Sequence, residues 1–180
     1  YLVRKLRNAL LLAVGSGLLA TAANAQTVLF SENFSTVSGP TTPPTGWTNN
    51  TIVGASFDVW HFDNPGSRSH SAPITDPFAI FDSRDYSNNG APENVALESD
   101  TFSTLGYNIV KLKWDQYFKS SPGSAGYVEV WNGTAWSAIP VYSTTGTSNP
   151  DQQTIDISAV AANMSGVRLR FRYTGDHSQY

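Results

Sequence analysis

From residue 26 onward, apolar and polar residues alternate in short runs punctuated by Gly, Pro, Asn and Ser, with no helical stripe of any length. That pattern predicts many short antiparallel strands closing as a sandwich or barrel. The clearest run is Tyr107 to Lys119. Val110, Leu112, Trp114, Gln116 and Phe118 share one parity, and Lys111, Lys113, Asp115, Tyr117 and Lys119 share the other. A period of two gives one core face and one wet face. Tyr127 to Trp131 follows, with Val128 and Val130 on one side. Asn132-Gly133 then reads as a hairpin turn, because both residues tolerate positive φ. Trp136 to Val141 returns, and Pro140 marks it as ending at an edge. Later, Val167, Leu169, Phe171 and Tyr173 alternate with Arg168, Arg170, Arg172 and Thr174. Val28 to Phe34, Phe57 to Phe62, Phe78 to Ser83 and Val95 to Phe102 also read as strands. Ser38 to Thr51 holds Pro40, Pro43, Pro44 and Gly46, and reads as an irregular crossing that delivers Trp47. Ser158 to Asn163 reads as a single helical turn with Ser158 at its N-cap.

Residues 1–25 follow a different rule. Arg4, Lys5 and Arg7 precede the apolar stretch Ala9 to Val14 and Leu18-Leu19-Ala20, and Ala23-Asn24-Ala25 supplies small residues before Gln26. That order is a secretory signal peptide. The apolar run is broken by Gly15-Ser16-Gly17 and is shorter than the roughly 20 residues a membrane span requires. The predicted organisation is therefore a signal over 1–25 and one domain over 26–180, with no membrane span once the signal is removed.

Charge and cysteine usage narrow the function classes. Three of the 11 Lys and Arg lie in the signal, so 8 remain in residues 26–180 against all 14 Asp and Glu, a net charge of −6. An acidic domain is a poor partner for nucleic acid, whose phosphates demand clustered cations. Zero cysteines exclude disulfides, thiolate nucleophiles and Cys-ligated zinc. An exported domain without disulfides draws its stability from its core or from a bound hard cation.

Several motifs, taken in order, resemble the cleaved-adhesin and choice-of-anchor J group of jelly-roll domains, which are MAM-like. They are Phe30-Ser-Glu32-Asn33-Phe34 followed by Pro43-Pro44-Thr-Gly46-Trp47; Ala96-Leu97-Glu98-Ser99, where Asp100 stands in place of the family's Pro; Val128-Glu-Val130-Trp-Asn132-Gly133-Thr-Ala-Trp136; and Ile155-Asp156-Ile157-Ser158 followed by Val167 to Tyr173. The resemblance implies a jelly-roll β-sandwich of two antiparallel sheets. It also implies a closing Trp-x-x-Asp-Asn-Val strand, which would begin where this sequence stops, so the expectation is a domain truncated at its C-terminus. A structural calcium is implied as well, with Glu32 and Asn33 at the family's position on the opening strand. Asp58 and Asp63 flank the next predicted strand and are candidates to add oxygens to the six to eight that calcium takes. The plainer reading of Glu32 is a strand-face carboxylate.

Other candidates are weaker. Asp82-Ser83-Arg84-Asp85 reads as a solvated turn with a local Asp–Arg pair. His61, His70 and His177 lack metal spacing and read as loop histidines. Glu98 and Asp100 share a strand parity, which reads as two exposed carboxylates before it reads as a catalytic pair. There is no Gly-x-Ser-x-Gly elbow and no His-Glu-x-x-His. Tyr117, Tyr127 and Trp131 fall on the wet parity of consecutive strands and form a candidate ligand-binding platform, for sugar or for protein. Arg168, Arg170 and Arg172 share one face, which suits either anionic glycans or pairing with acids on the neighbouring strand. The resulting expectation is a secreted or cell-surface, non-catalytic adhesion or binding module whose partner is an extracellular protein or glycan. The alternatives are a carbohydrate-binding module and an accessory domain of a secreted peptidase. Expressed with an initiating Met in an exporting bacterium, the chain is expected to yield a product whose N-terminus reads Gln26 by Edman degradation. A cytosolic product retaining residues 1–25 contradicts the signal assignment.

Overall fold

The computed structural model describes residues 26–84, 92–142 and 145–175. Residues 1–25, which the sequence reads as a signal, Asp85 of the acidic run and His177 lie outside the described residues. Seven strands and one short helix follow in order: β1 (Thr48–Val53), β2 (Glu93–Glu98), β3 (Lys111–Gln116), β4 (Ala125–Trp131), β5 (Trp136–Tyr142), β6 (Asp151–Asp156), α1 (Ser158–Ala161) and β7 (Arg168–Gly175). They form a five-stranded sheet in the order β1-β2-β7-β4-β5 and a two-stranded sheet, β3-β6. All pairings are antiparallel. The all-β reading with two antiparallel sheets holds.

The last strand in sequence is the middle strand in space. β7 is paired over residues 170–175 with β2 on one side and over 168–174 with β4 on the other, so Phe171 stands opposite both Leu97 and Val128. Leu97, Val128, Val130 and Leu169 are buried on the inner face. Complete burial of one such side chain contributes about 1.5–3 kcal/mol. Two clusters result. One gathers Val110, Val130, Ile157, Val167 and Leu169 beside α1; the other gathers Trp47, Phe62 and Leu97 beneath the crossing loop.

β3 keeps its expected alternation. Trp114 is buried and Lys111, Lys113 and Asp115 are exposed. The β4–β5 hairpin turns at Gly133, with φ 91°, and β5 is an edge strand as Pro140 indicates.

Three expectations are corrected. Val28 to Phe34 joins no ladder, because the Asn33 and Phe34 N–H groups donate to the Glu32 side chain and Phe34 turns at φ 60°. Its rings pack partly buried against the core all the same, Phe30 stacking on Phe102 at 4.8 Å. Phe57 to Phe62 and Phe78 to Ser83 meet only in a single bridge, His61 with Ile80. Ser158 does not cap its helix; its hydroxyl accepts from the Val110 N–H at 2.9 Å, and Ile157 stands at the N-cap.

Gly54 closes β1 at φ 133°, and a Cβ there would come within 2.5 Å of Asp58 Oδ2. Both the dihedral and the contact exclude a side chain. Gly54→Ala is expected to lower stability by about 2 kcal/mol or more in urea titration. An unchanged midpoint contradicts this placement.

Candidate functional site

Between the two sheets lies a recess of about 250 Å³. Its floor is the inner face of β4 and β7, where Val128, Phe171 and Tyr173 line it beside Gly126. Its opposite wall is Trp114, Gln116 and Phe118 from β3 and the segment after it. Its roof is the crossing segment 60–81, which contributes Trp60, Phe78, Ile80 and Phe81. Glycine at 126 keeps the Phe118 ring close, since a Cβ there would stand 3.3 Å from it.

Two asparagines hold the roof. The Asn49 amide on β1 accepts from Trp60 N–H at 2.9 Å and donates to Trp60 O at 2.7 Å, as a strand would. The Asn149 amide accepts from Ser71 N–H at 3.1 Å and donates to Ser69 O at 3.1 Å. The lining is therefore pinned to β1 and to the segment that leads into β6.

Several ionisable groups at the recess are engaged within the fold. Arg68 donates two bonds to Asp82, from Nε at 2.5 Å and from Nη2 at 2.8 Å. Burial pushes the phenol of Tyr142 up, with Asp151 adding to the effect against a Gln116 hydrogen bond. Burial also pushes up Tyr173, which Glu93 reinforces against bonds from nearby serines. Both phenols are held neutral. His70 sits against Phe78 at 4.6 Å between ring centres, with Nε2 3.9 Å from Asp76.

The outer face of the five-stranded sheet is a different surface. Period two sends Arg168, Arg170 and Arg172 outward from β7, between Glu98 on β2 and Glu129 on β4. Arg168 Nη2 lies 2.7 Å from Glu98, Arg170 Nε 2.6 Å from Glu129 and Arg172 Nε 2.9 Å from Glu129. The guanidinium groups also cover aromatic rings. Arg170 lies 4.3 Å from the centre of Trp136 and Arg172 lies 3.8 Å from the centre of Tyr127. Glu129 is buried, which alone would raise its pKa, yet the two guanidinium partners hold it below its ordinary 4.5.

The expected platform is reorganised by this geometry. Tyr117, Tyr127 and Trp131 were placed on one wet surface, but β3 and β4 belong to different sheets although they are consecutive in the chain. Tyr117 and Tyr127 instead both border the recess, and Trp131 does not. Tyr127 carries Arg172 on its ring, and Trp131 meets Trp136 at 5.6 Å. The arginine face follows the pairing reading, with acids on both neighbouring strands.

Asp82 is also corrected. It is buried and pairs with Arg68, fourteen positions away, rather than within a solvated turn. Glu98 pairs with Arg168 while Asp100 is exposed. Of the calcium candidates, Glu32 spends one oxygen on its own turn and Asn33 accepts from Ser35 N–H. Asp58 is fully buried; Oδ2 accepts from Ala55 N–H at 2.7 Å and Oδ1 has no donor among the described residues. Among the described residues, no group of three or more His, Asp or Glu side chains is placed to hold a metal.

Trp60, Trp136 and the asparagine clamps were not singled out as site residues by sequence. Trp60 carried a signal, since it lies in an aromatic run; the clamps carried none.

A depressed Glu129 favours the folded state above its unfolded value near 4.5, and that contribution is lost as pH falls through the lower folded value. Glu129→Gln is expected to cost about 3 kcal/mol at pH 7 by stranding two half-buried cations, and to flatten the loss of stability below pH 4.5. Parallel urea curves for both proteins across pH 3–7 contradict the assignment. No family model, curated protein or solved structure matches the chain, so the cleaved-adhesin resemblance rests on its motifs alone.

Proposed function

We propose that the chain is an exported, non-catalytic binding module of jelly-roll type that holds an extracellular partner. The observation that carries this reading is the recess. It is concave and aromatic, and its roof is clamped by Asn49 on β1 and by Asn149 ahead of β6. Arg68 at the recess is spent on the buried Asp82, and the phenols of Tyr142 and Tyr173 are held neutral. A site of that kind suits retention of an apolar group rather than proton transfer or nucleophilic attack. Export is supported by the charge, apolar and small-residue order of residues 1–25.

The test is titration with N-phenyl-1-naphthylamine, a neutral dye whose emission rises in apolar surroundings. One saturable site is expected, lost in Gly126→Leu, which fills the recess beside Phe118. Emission that rises linearly without saturation contradicts the reading.

A glycan partner is the second reading, favoured by Trp131, which stands 5.6 Å from Trp136 at the hairpin end of the sheet and, unlike Trp136, has no guanidinium over its ring among the described residues. Structural calcium belongs to the same proposal through the buried Asp58, whose orphaned oxygen fits a hard-cation ligand. A chelator is expected to lower the melting temperature of the calcium-loaded protein. An unchanged melting temperature counts against calcium.

A further inference from the structure

The two-stranded sheet has one edge turned toward the recess with no strand upon it. In an antiparallel pair, the N–H and C=O of one residue point to the same side, and alternate residues point to opposite sides. Ile157 N–H donates to Val110 O at 2.9 Å, and Thr147 N–H donates to Phe118 O at 2.8 Å. The register between those two bonds is unbroken over Lys111–Gln116. Even-numbered residues of β3 therefore turn their backbone toward β6, while Lys111, Lys113, Asp115 and Tyr117 turn theirs away. Among the described residues, β6 is the one strand that pairs with β3. A row of unpaired backbone donors and acceptors is a template for another chain.

The recess runs along this same edge. Asp115 and Tyr117 are exposed and of outward parity, yet both line it together with Trp114, Gln116 and Phe118. No residue of β6 lines it. The outer row of the edge carries uncommitted positive charge. Lys111 stands opposite Asp156, and Asp115 accepts from the Gln152 amide at 2.8 Å. Lys113 and Lys119 are exposed and join no ion pair among the described residues. Lysines on an edge strand oppose indiscriminate pairing and favour a strand that brings acids.

We propose that β3 is the acceptor edge for an extended peptide segment of a partner protein, apolar at alternate positions and acidic between them. The segment adds antiparallel to β3, sets its apolar side chains into the recess beside Val128 and Phe171, and sets its acids against Lys113 and Lys119. A second copy of this chain fits the edge poorly. Pairing the whole edge with itself centres on Asp115, which would place Asp115 against Asp115 and Lys111 against Lys119. This assignment rests on the recess being the binding site.

The probe is the acetylated, amidated peptide Glu-Val-Thr-Val-Lys-Val-Glu-Val. Run antiparallel from Lys119 to Leu112, it sets its acids opposite Lys119 and Lys113, its lysine opposite Asp115 and its valines toward the recess. Saturable binding is expected, with displacement of N-phenyl-1-naphthylamine. The Lys113, Asp115 and Tyr117 amides are expected to exchange fast in the unbound protein and slowly in the complex. N-methylation of the peptide's threonine and lysine, whose amides face β3, is expected to weaken binding at least about tenfold. N-methylation of the two valines flanking that lysine, whose amides face away, is expected to leave it unchanged. These changes lie in the probe, so the fold of the protein is untouched. Equal binding of both methylated peptides overturns the strand-acceptor assignment. Dye binding without peptide binding also overturns it and leaves the recess as an apolar site, whereas binding of neither overturns both. Edge amides already protected in dilute unbound protein overturn it too, since the edge is then covered by this chain itself. Protection that appears only with rising protein concentration assigns the edge to a second copy and overturns the partner.

Discussion

The structure depends on the period-two alternation of β7. A strand paired on both sides has two faces to satisfy, and this one satisfies them by opposite chemistry. Leu169 and Phe171 face inward, against Leu97, Val128 and Val130 from the neighbouring strands. Arg168, Arg170 and Arg172 face outward and meet Glu98 and Glu129 at regular intervals. A slip of one residue would carry three guanidinium groups into the interior and three apolar side chains to the surface, so the register is heavily specified.

The outer lattice accounts for a surface that is neither core nor free. A guanidinium is weakly hydrated and planar, so it lies over an aromatic ring while its edge donates to a carboxylate. The three arginines do both, which occupies rings that would otherwise stack against a partner. The sheet's outer face is consequently committed to holding β2, β7, β4 and β5 in register. Concavity arises elsewhere, where the inner face of β4 and β7 meets a sheet of only two strands and a crossing segment fills the remaining side. The roof of that concavity is ordered by amide side chains rather than by ladder bonds, so aromatic rings reach it from a segment with almost no regular structure.

Much of the fold was legible from alternation. The β3, β4 and β7 runs carry apolar residues at every second position, and each appears as a strand with the expected face inward; β5 was legible from the Asn132-Gly133 turn before it. β1 and β6 carried little such signal, because Thr-Asn-Asn-Thr and Asp-Gln-Gln-Thr are polar on both parities and become strands by pairing with a neighbour. Val28 to Phe34 erred the other way; Phe30 and Phe34 pack partly buried against the core, but Glu32 takes backbone donors that a ladder would use. The site was less legible. Parity assigns a side chain to a face, yet it cannot say whether two consecutive strands share a sheet, and the Tyr117–Tyr127–Trp131 platform assumed that they do. The two asparagine clamps join positions 11 and 78 residues apart or more, which no local pattern encodes.

Hydrogen exchange tests the central position of β7 most directly. Amides of β7, together with those of β2 and β4 that pair with it, are expected to exchange only through global unfolding, while β1 and β5 at the sheet edges open locally and exchange faster. β7 amides that exchange as fast as those of β5 would contradict a fold organised around that strand.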